Sequence, residues 1–178
     1  MRVIAGIYRS RVLKAPSGMN TRPTMDKVKE SMFNIIGIKV YDAVVLDLFA
    51  GSGGLGIEAL SRGAKKAYFN DHNYNSYKVI KENIENLKID NAIVTKLSYL
   101  ECLKQLDEKF DLILLDPPYK NHIYEEVIES MESNNLLNPK AMFVMEAEKF
   151  VDQIKRDGYV SKEYLYGNKK LIILIKQA

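Results

Sequence analysis

The sequence predicts an open α/β fold: a mostly parallel, seven-stranded sheet in which one strand is reversed. Three observations carry this expectation. From residue 43 onward, short apolar runs alternate with amphipathic stretches, as in repeated strand–helix–strand units. The first of these runs enters a glycine-rich turn that opens onto a helix. The last two, at 159–166 and 170–176, are joined only by Gly167-Asn168, so they pair as an antiparallel hairpin.

Each element follows from local pattern. Residues 1–14 alternate apolar and basic positions around Gly6, which predicts a short β-hairpin, and 15–21 form a loop. Thr24 reads as a helix N-cap with Asp26 in the first turn. Val28, Met32, Ile35 and Ile36 supply that helix's apolar face, and Gly37 stops it. Strands are expected at 44–48, 67–70, 92–97, 111–115 and 141–146. Helices at 55–61, 100–106, 123–131 and 150–157 interleave with them, as does one capped by Asn73 that buries Tyr77, Ile80, Ile84 and Leu87. No repeat, low-complexity tract or linker divides the chain. A single domain over 1–178 is expected, with a basic extension at 1–40 and a core at 41–178.

Composition narrows the function classes. The 178 residues, 47% apolar and 28% charged, suffice for one buried core. A lone cysteine, Cys102, excludes a disulfide framework, and two distant histidines, His72 and His122, argue against a metal site. No signal-peptide pattern or membrane-length apolar run occurs, so a cytoplasmic monomer is expected. The net charge of +3 is unevenly spread: residues 1–40 hold eight basic and two acidic side chains, the remainder 18 basic and 21 acidic. A basic amino-terminal lobe on a mildly acidic body suits a polyanionic partner, although a solvated surface has the same composition.

Two motifs carry the chemistry. Gly51, Gly53 and Gly56 match G-x-G-x-x-G, and Asp71 lies twenty residues beyond Gly51 at the end of the next strand. Such a turn lets the backbone approach a nucleoside cofactor while the acid accepts its ribose hydroxyls. Asp47, four residues before Gly51, would repel a pyrophosphate but suit a cationic amino group. The second motif, Asp116-Pro117-Pro118-Tyr119, follows the apolar run Phe110-Asp-Leu-Ile-Leu-Leu115. Prolines cannot continue a ladder, so they fix a turn at the strand's carboxyl end, where ligands of open α/β sheets bind. There a carboxylate, a carbonyl and a ring can hold the exocyclic amine of a planar base.

Together, Asp-Leu-Phe-Ala-Gly-Ser-Gly at 47–53, Asp71 and Asp-Pro-Pro-Tyr resemble the class I S-adenosylmethionine-dependent methyltransferases that modify amino groups. The block from Thr21-Arg22-Pro23-Thr24 to Phe33-Asn34, with residues 55–64, is similar to bacterial enzymes that methylate a guanine N2 of 16S ribosomal RNA. The resemblance implies a Rossmann-like class I fold and transfer from S-adenosylmethionine, releasing S-adenosylhomocysteine, with ribosomal RNA in a small-subunit particle as partner. It makes the stretch Phe49, Ala50, Gly51, Ser52 and Gly53 a bed for the methionine part, with Asp47 on its amino group. Asp71 takes the ribose, and His72 lies beside the adenine. Ser98, next to Tyr99, stands where the family has an acid on the adenine amine. Asp116 and the Pro117 carbonyl would hold the target amine, Pro118 would shape the slot, and Tyr119 would stack on the base.

Arg2, Arg9, Arg11, Lys14, Arg22, Lys27 and Lys29 are candidate phosphate contacts, which position RNA without reading it. Other readings stay open. DNA adenine-N6 or cytosine-N4 methyltransferases share the acid-or-amide Pro-Pro-aromatic logic, but nothing here is sized like a DNA-reading domain. A nicotinamide oxidoreductase would leave Asp47 and Asp116 idle, and a non-catalytic RNA-binding assembly factor would need neither motif intact.

Overall fold

Seven strands form one sheet in the order β3-β2-β1-β4-β5-β7-β6 in the computed structural model, which describes residues 1–19, 23–118 and 122–178, without the side chains of 23 and 24. The strands are β1 (Val44–Asp47), β2 (Lys66–Asn70), β3 (Ala92–Thr95), β4 (Phe110–Leu115), β5 (Leu137–Glu148), β6 (Tyr159–Tyr166) and β7 (Lys169–Lys176). The helices are α1 (Pro23–Ile36), α2 (Gly54–Ser61), α3 (Tyr74–Asn86), α4 (Tyr99–Gln105) and α5 (Ile123–Ser133). Strands β1 to β5 pair in parallel, and β7 runs antiparallel to both β5 and β6, as the short Gly167-Asn168 connection requires. The strand order reverses between β1 and β4. Connections leave these neighbours in opposite directions and open a crevice at their carboxyl ends.

Side-chain alternation divides the core between the two faces of the sheet. Val45, Phe69, Leu112, Leu114 and Val144 face the layer holding Met32 and Phe33 of α1, Ile57 of α2 and Ile80 of α3. Leu46, Phe110, Ile113 and Phe143 face Leu103 of α4 and Val127, Ile128 and Met131 of α5. Large side chains of this kind contribute about 1.5–3 kcal/mol each when fully buried. Covered on both sides, β1 is buried at every position.

Two local expectations differ from the structure, and a third is met. Helix α1 begins at Pro23, whose missing N–H costs nothing in a first turn, so Thr24 lies inside the helix and is not its cap. The expected short hairpin at 1–14 forms around one antiparallel bridge, Arg2 with Val12, where the N–H groups of Val3, Ser10 and Leu13 donate across it to the carbonyls of Arg11, Val3 and Met1, each at 2.9 Å. Its outer backbone groups dock on the core. The Glu58 carboxylate accepts the N–H of Ile4 at 2.9 Å and of Ala5 at 3.1 Å, and Ser61 Oγ accepts that of Tyr8 at 3.0 Å. No helix forms at 150–157, where Ile154 is buried but Phe150 is 80% exposed. With Phe150 exposed, too little apolar face is left to hold an amphipathic helix against the sheet. Among the described residues no helix is long and apolar enough to cross a membrane.

Candidate active site

A cavity of about 920 Å³ lies over the carboxyl ends of β1, β2, β4 and β5. The turn after β1 and the corner after β4 both line it. That shared wall is what the sequence motifs require of each other.

The β1 side is built by short hydrogen bonds within one stretch of chain. Gly51 holds φ +57°, a left-handed conformation that side-chain-bearing residues rarely adopt. Its N–H donates to Asp71 Oδ2 at 2.9 Å, while Asp71 Oδ1 accepts the Asn73 N–H at 2.9 Å. Both carboxylate oxygens are thereby oriented, and each retains a lone pair for a further donor. Asn70, buried just before, gathers the strand ends. Its amide nitrogen donates to the Leu48 and Leu97 carbonyls at 3.3 and 3.0 Å, and its oxygen accepts the Thr95 hydroxyl at 2.7 Å. Nothing in the motif spacing singles Asn70 out, although a polar residue closing an apolar strand is a visible signal.

Gly56 serves packing. A Cβ there would lie 2.3 Å from Phe69 Cε1, so only glycine lets α2 approach β2 this closely. Gly53, expected in the cofactor bed, instead turns toward Ile57, Ile80 and Phe69 and does not line the cavity. Asp47, expected on the donor's amino group, lies beneath the turn and outside the cavity lining. It is 1% exposed, and its Oδ2 accepts the Gly56 N–H at 2.9 Å beneath the turn. Burial raises its carboxyl to about 7, the Gly56 bond pulls against that, and Asp116 and Asp71 add repulsion. Asp47 is thus poised to brace the turn from below, while Ala50, Gly51 and Ser52 face the cavity.

The far wall of this side is aromatic. Phe49 and Tyr99 have ring centroids 5.5 Å apart at 48°, and the Tyr99 hydroxyl donates to Glu126 at 2.5 Å. That bond raises the Tyr99 phenol to about 12. Ser98 lines the cavity, but its hydroxyl is spent on capping α4: it accepts the Glu101 N–H and donates to the Glu101 carboxylate at 2.9 Å. His72 is exposed at the rim, its Nδ1 3.9 Å from Asp71.

The opposite side brings Asp116, Pro117 and Pro118 to the wall, with Glu146, Glu148 and Lys169 beyond them. Tyr119 and Arg22 lie outside the described residues. Buried Tyr124 donates its hydroxyl to the Glu146 carbonyl at 2.5 Å. Burial raises its phenol well above the ordinary value, with Asp116, Glu146 and Glu148 adding to the shift.

Met25, Val28 and Lys29 of α1 close the cavity from the amino-terminal side. Lys29 was expected on an RNA-binding surface. It is 3% exposed, with Nζ 2.6 Å from the Arg2 carbonyl and 3.4 Å from Glu58. Desolvation pushes its ammonium below the ordinary lysine value, and Glu58 pulls it back. Glu58, fully buried and also bonded to Arg62 Nε at 2.8 Å, is the junction sequence reading missed. It sits on a helix whose pattern gives no hint that its carboxylate points inward.

The remaining basic candidates divide. Arg2, Arg9 and Lys27 surround a second cleft of about 400 Å³, beside Asp26 and Glu30. Arg11 is exposed, and Lys14 pairs with Glu82 at 3.2 Å.

A reversed strand order, a glycine turn fixed by the acid after β2 and an acid-Pro-Pro corner after β4 define a class I methyltransferase architecture. A family model described as Conserved hypothetical protein 95 matches residues 1–175, and the chain belongs to that family. It is 40% identical over 153 residues to Ribosomal RNA small subunit methyltransferase D of Haemophilus influenzae, covering 84% of this chain and 79% of that one. A more distant relative, the tRNA (guanine(10)-N2)-dimethyltransferase of Methanothermobacter thermautotrophicus, is 30% identical over 136 residues, which is 71% of this chain and 39% of that one. Among solved structures, an Escherichia coli protein assigned as a methyltransferase superposes with a TM-score of 0.89 at 32% identity, covering all of this chain and 98% of that one.

Proposed function

We propose that the protein methylates the exocyclic N2 of a guanine in 16S ribosomal RNA, using S-adenosylmethionine. The observation that carries this is the common cavity, with the Gly51 turn and Asp71 on one wall and Asp116-Pro117 on the other. The relatives supply the direction of the reading: one is named for small-subunit ribosomal RNA, another for guanine N2.

The residues present fit the donor. Gly51 leaves open the space that a side chain would occupy, with only Met19, among the described residues, within 4 Å of its absent Cβ. Asp71, held by two backbone N–H groups, can accept ribose hydroxyls, and Phe49 with Tyr99 offers apolar ring faces for the adenine. Bound S-adenosylmethionine supplies an activated methyl on a sulfonium, so the protein's task is to orient the acceptor and exclude water.

A guanine N2 lone pair is delocalised into its ring and attacks poorly. Asp116 and the Pro117 carbonyl accept its two protons, which favours a pyramidal nitrogen with its lone pair aimed across the cavity. As positive charge develops on that nitrogen, the Asp116 carboxylate stabilises it without reorganising. The two prolines keep acid and carbonyl in fixed relation. A stacked target base must be flipped out, at a few kcal/mol, offset by contacts within the cavity and to backbone phosphates. Arg2, Arg9 and Lys27, around the second cleft, supply phosphate contacts.

Transfer of labelled methyl groups to small ribosomal subunits, compared with duplex DNA, tests the proposal. Label in one guanine N2 of 16S ribosomal RNA is the expected result. Label in DNA adenine or cytosine, with none in the RNA, would replace it with the DNA reading.

A further inference from the structure

Alternation along the strands sets out a recognition surface beside Asp116. Leu112 and Leu114 of β4, Met142 and Val144 of β5, and Leu171 and Ile173 of β7 form one apolar layer. Continued toward the cavity, the same rows reach Asp116 after β4, Glu146 and Glu148 on β5 and Lys169 on β7. The register sets them side by side: Leu115 pairs with Met145, Glu146 with Leu171, and Glu148 with Lys169. All four charged residues line the cavity, and Lys169 Nζ is ion-paired with Glu148. Crossing from β4 to β7, the wall therefore presents an acceptor, a second acceptor and a donor.

The Watson–Crick edge of guanine presents the complement in the same order: the N2 amine, the N1–H and the O6 acceptor. Adenine and cytosine place a ring-nitrogen acceptor beside their amine, which would set a lone pair against the Glu146 carboxylate. We infer that Glu146 and Lys169 select guanine, Glu146 accepting the N1–H and Lys169, positioned by Glu148, donating to O6. This rests on the proposed guanine reading and extends it from the reacting amine to the rest of the base edge. A carboxylate accepts through two oxygens and an ammonium donates three hydrogens, so each group type can serve a protein partner and a base together.

The test uses a 16S ribosomal RNA fragment carrying the mapped target nucleotide as guanosine or as 2,6-diaminopurine riboside. The analogue keeps the N2 amine but places an acceptor at N1 and a donor at C6. A site built to hydrogen-bond one pattern rejects the other strongly, so wild type should favour guanosine by roughly 100-fold or more in kcat/KM. Glu146→Gln, whose amide can donate to N1, should bring the ratio below about 10-fold. Lys169→Met should also lower it, because no ammonium then opposes the analogue's 6-amino group. Unchanged S-adenosylhomocysteine affinity shows that each variant retains its fold; where Glu146→Gln does not, Lys169→Met decides. Equal rates on both bases in wild type, or an undiminished preference in a folded variant, overturns the assignment. Absence of transfer to guanosine, in the fragment and in whole subunits alike, overturns the guanine reading and this assignment with it.

Discussion

On the β1–β2 side of the cavity, one continuous stretch, residues 47–73, supplies the turn, its bracing acid and the carboxylate that fixes it. On the β4–β5–β7 side the wall is assembled from Asp116-Pro117-Pro118, Glu146, Glu148 and Lys169, drawn from three separate strand ends. The first side is organised by hydrogen bonds within that one stretch, Gly56 to Asp47 and Gly51 to Asp71; the second depends on register across the sheet. The difference implies separable duties, one side holding a nucleoside through backbone geometry and the other reading a base through charged side chains. It also implies separable failures.

The largest expected effect lies where both sides meet. Glu58 receives Lys29, Arg62 and the backbone of residues 4 and 5, and so ties the amino-terminal segment and α1 to α2. Glu58→Ala leaves the buried Lys29 ammonium only the Arg2 carbonyl and takes the acceptor from the N–H groups of Ile4 and Ala5, and should cost about 3–5 kcal/mol. Urea unfolding would measure it. A loss under about 1 kcal/mol, within the range of an exposed pair, would mean that the segment is held by apolar contacts alone.

Asp116→Ala should then divide the two sides. Losing the group that steadies the developing charge lowers kcat by about 10²–10³-fold, while calorimetric affinity for S-adenosylhomocysteine stays within twofold. Full activity would remove Asp116 from the reaction. The converse is Asp71→Asn, which keeps the side chain's size but not its charge. It should weaken S-adenosylhomocysteine by roughly 10- to 100-fold, the worth of hydrogen bonds to a charged group, and leave kcat at saturating donor nearly unchanged. If both variants lose binding and turnover together, the sides are not independent.

How much of this was readable in advance follows the same division. The sheet, its reversed strand and the glycine turn were legible because 2- and 3.6-residue periodicities and a short connection are local facts. Asp116-Pro-Pro was legible because its rigidity needs no tertiary partner. Glu146 and Lys169 were not, since only the β5–β7 register brings them beside Asp116. Lys29 and Glu58 were misjudged or missed for a related reason: charged residues on helices usually face water, and only the docked segment buries this pair. The absent helix at 150–157 shows the limit of periodicity: Phe150, Val151 and Ile154 have helical spacing, yet only Ile154 is buried.

The smallest expected effect concerns Asp47, the acid that a binding role would have placed in the cavity. Its folded-state carboxyl titrates at about 7 against an ordinary 3.8, because burial disfavours the charge more than the Gly56 N–H favours it. Between those values the native state binds the proton and the unfolded chain releases it, so this group's contribution to stability falls as pH rises through 4 to 7. Above 7 both states are ionised and the loss levels off. Asp47→Asn retains an oxygen for the Gly56 N–H but carries no ionisable group. The variant should therefore match or trail wild type near pH 4.5 and gain on it steadily toward pH 7.5 in denaturant midpoint. A constant difference across that range would mean that Asp47 keeps its charge when folded. In that event the Gly56 N–H and the turn around it would outweigh burial in setting the charge.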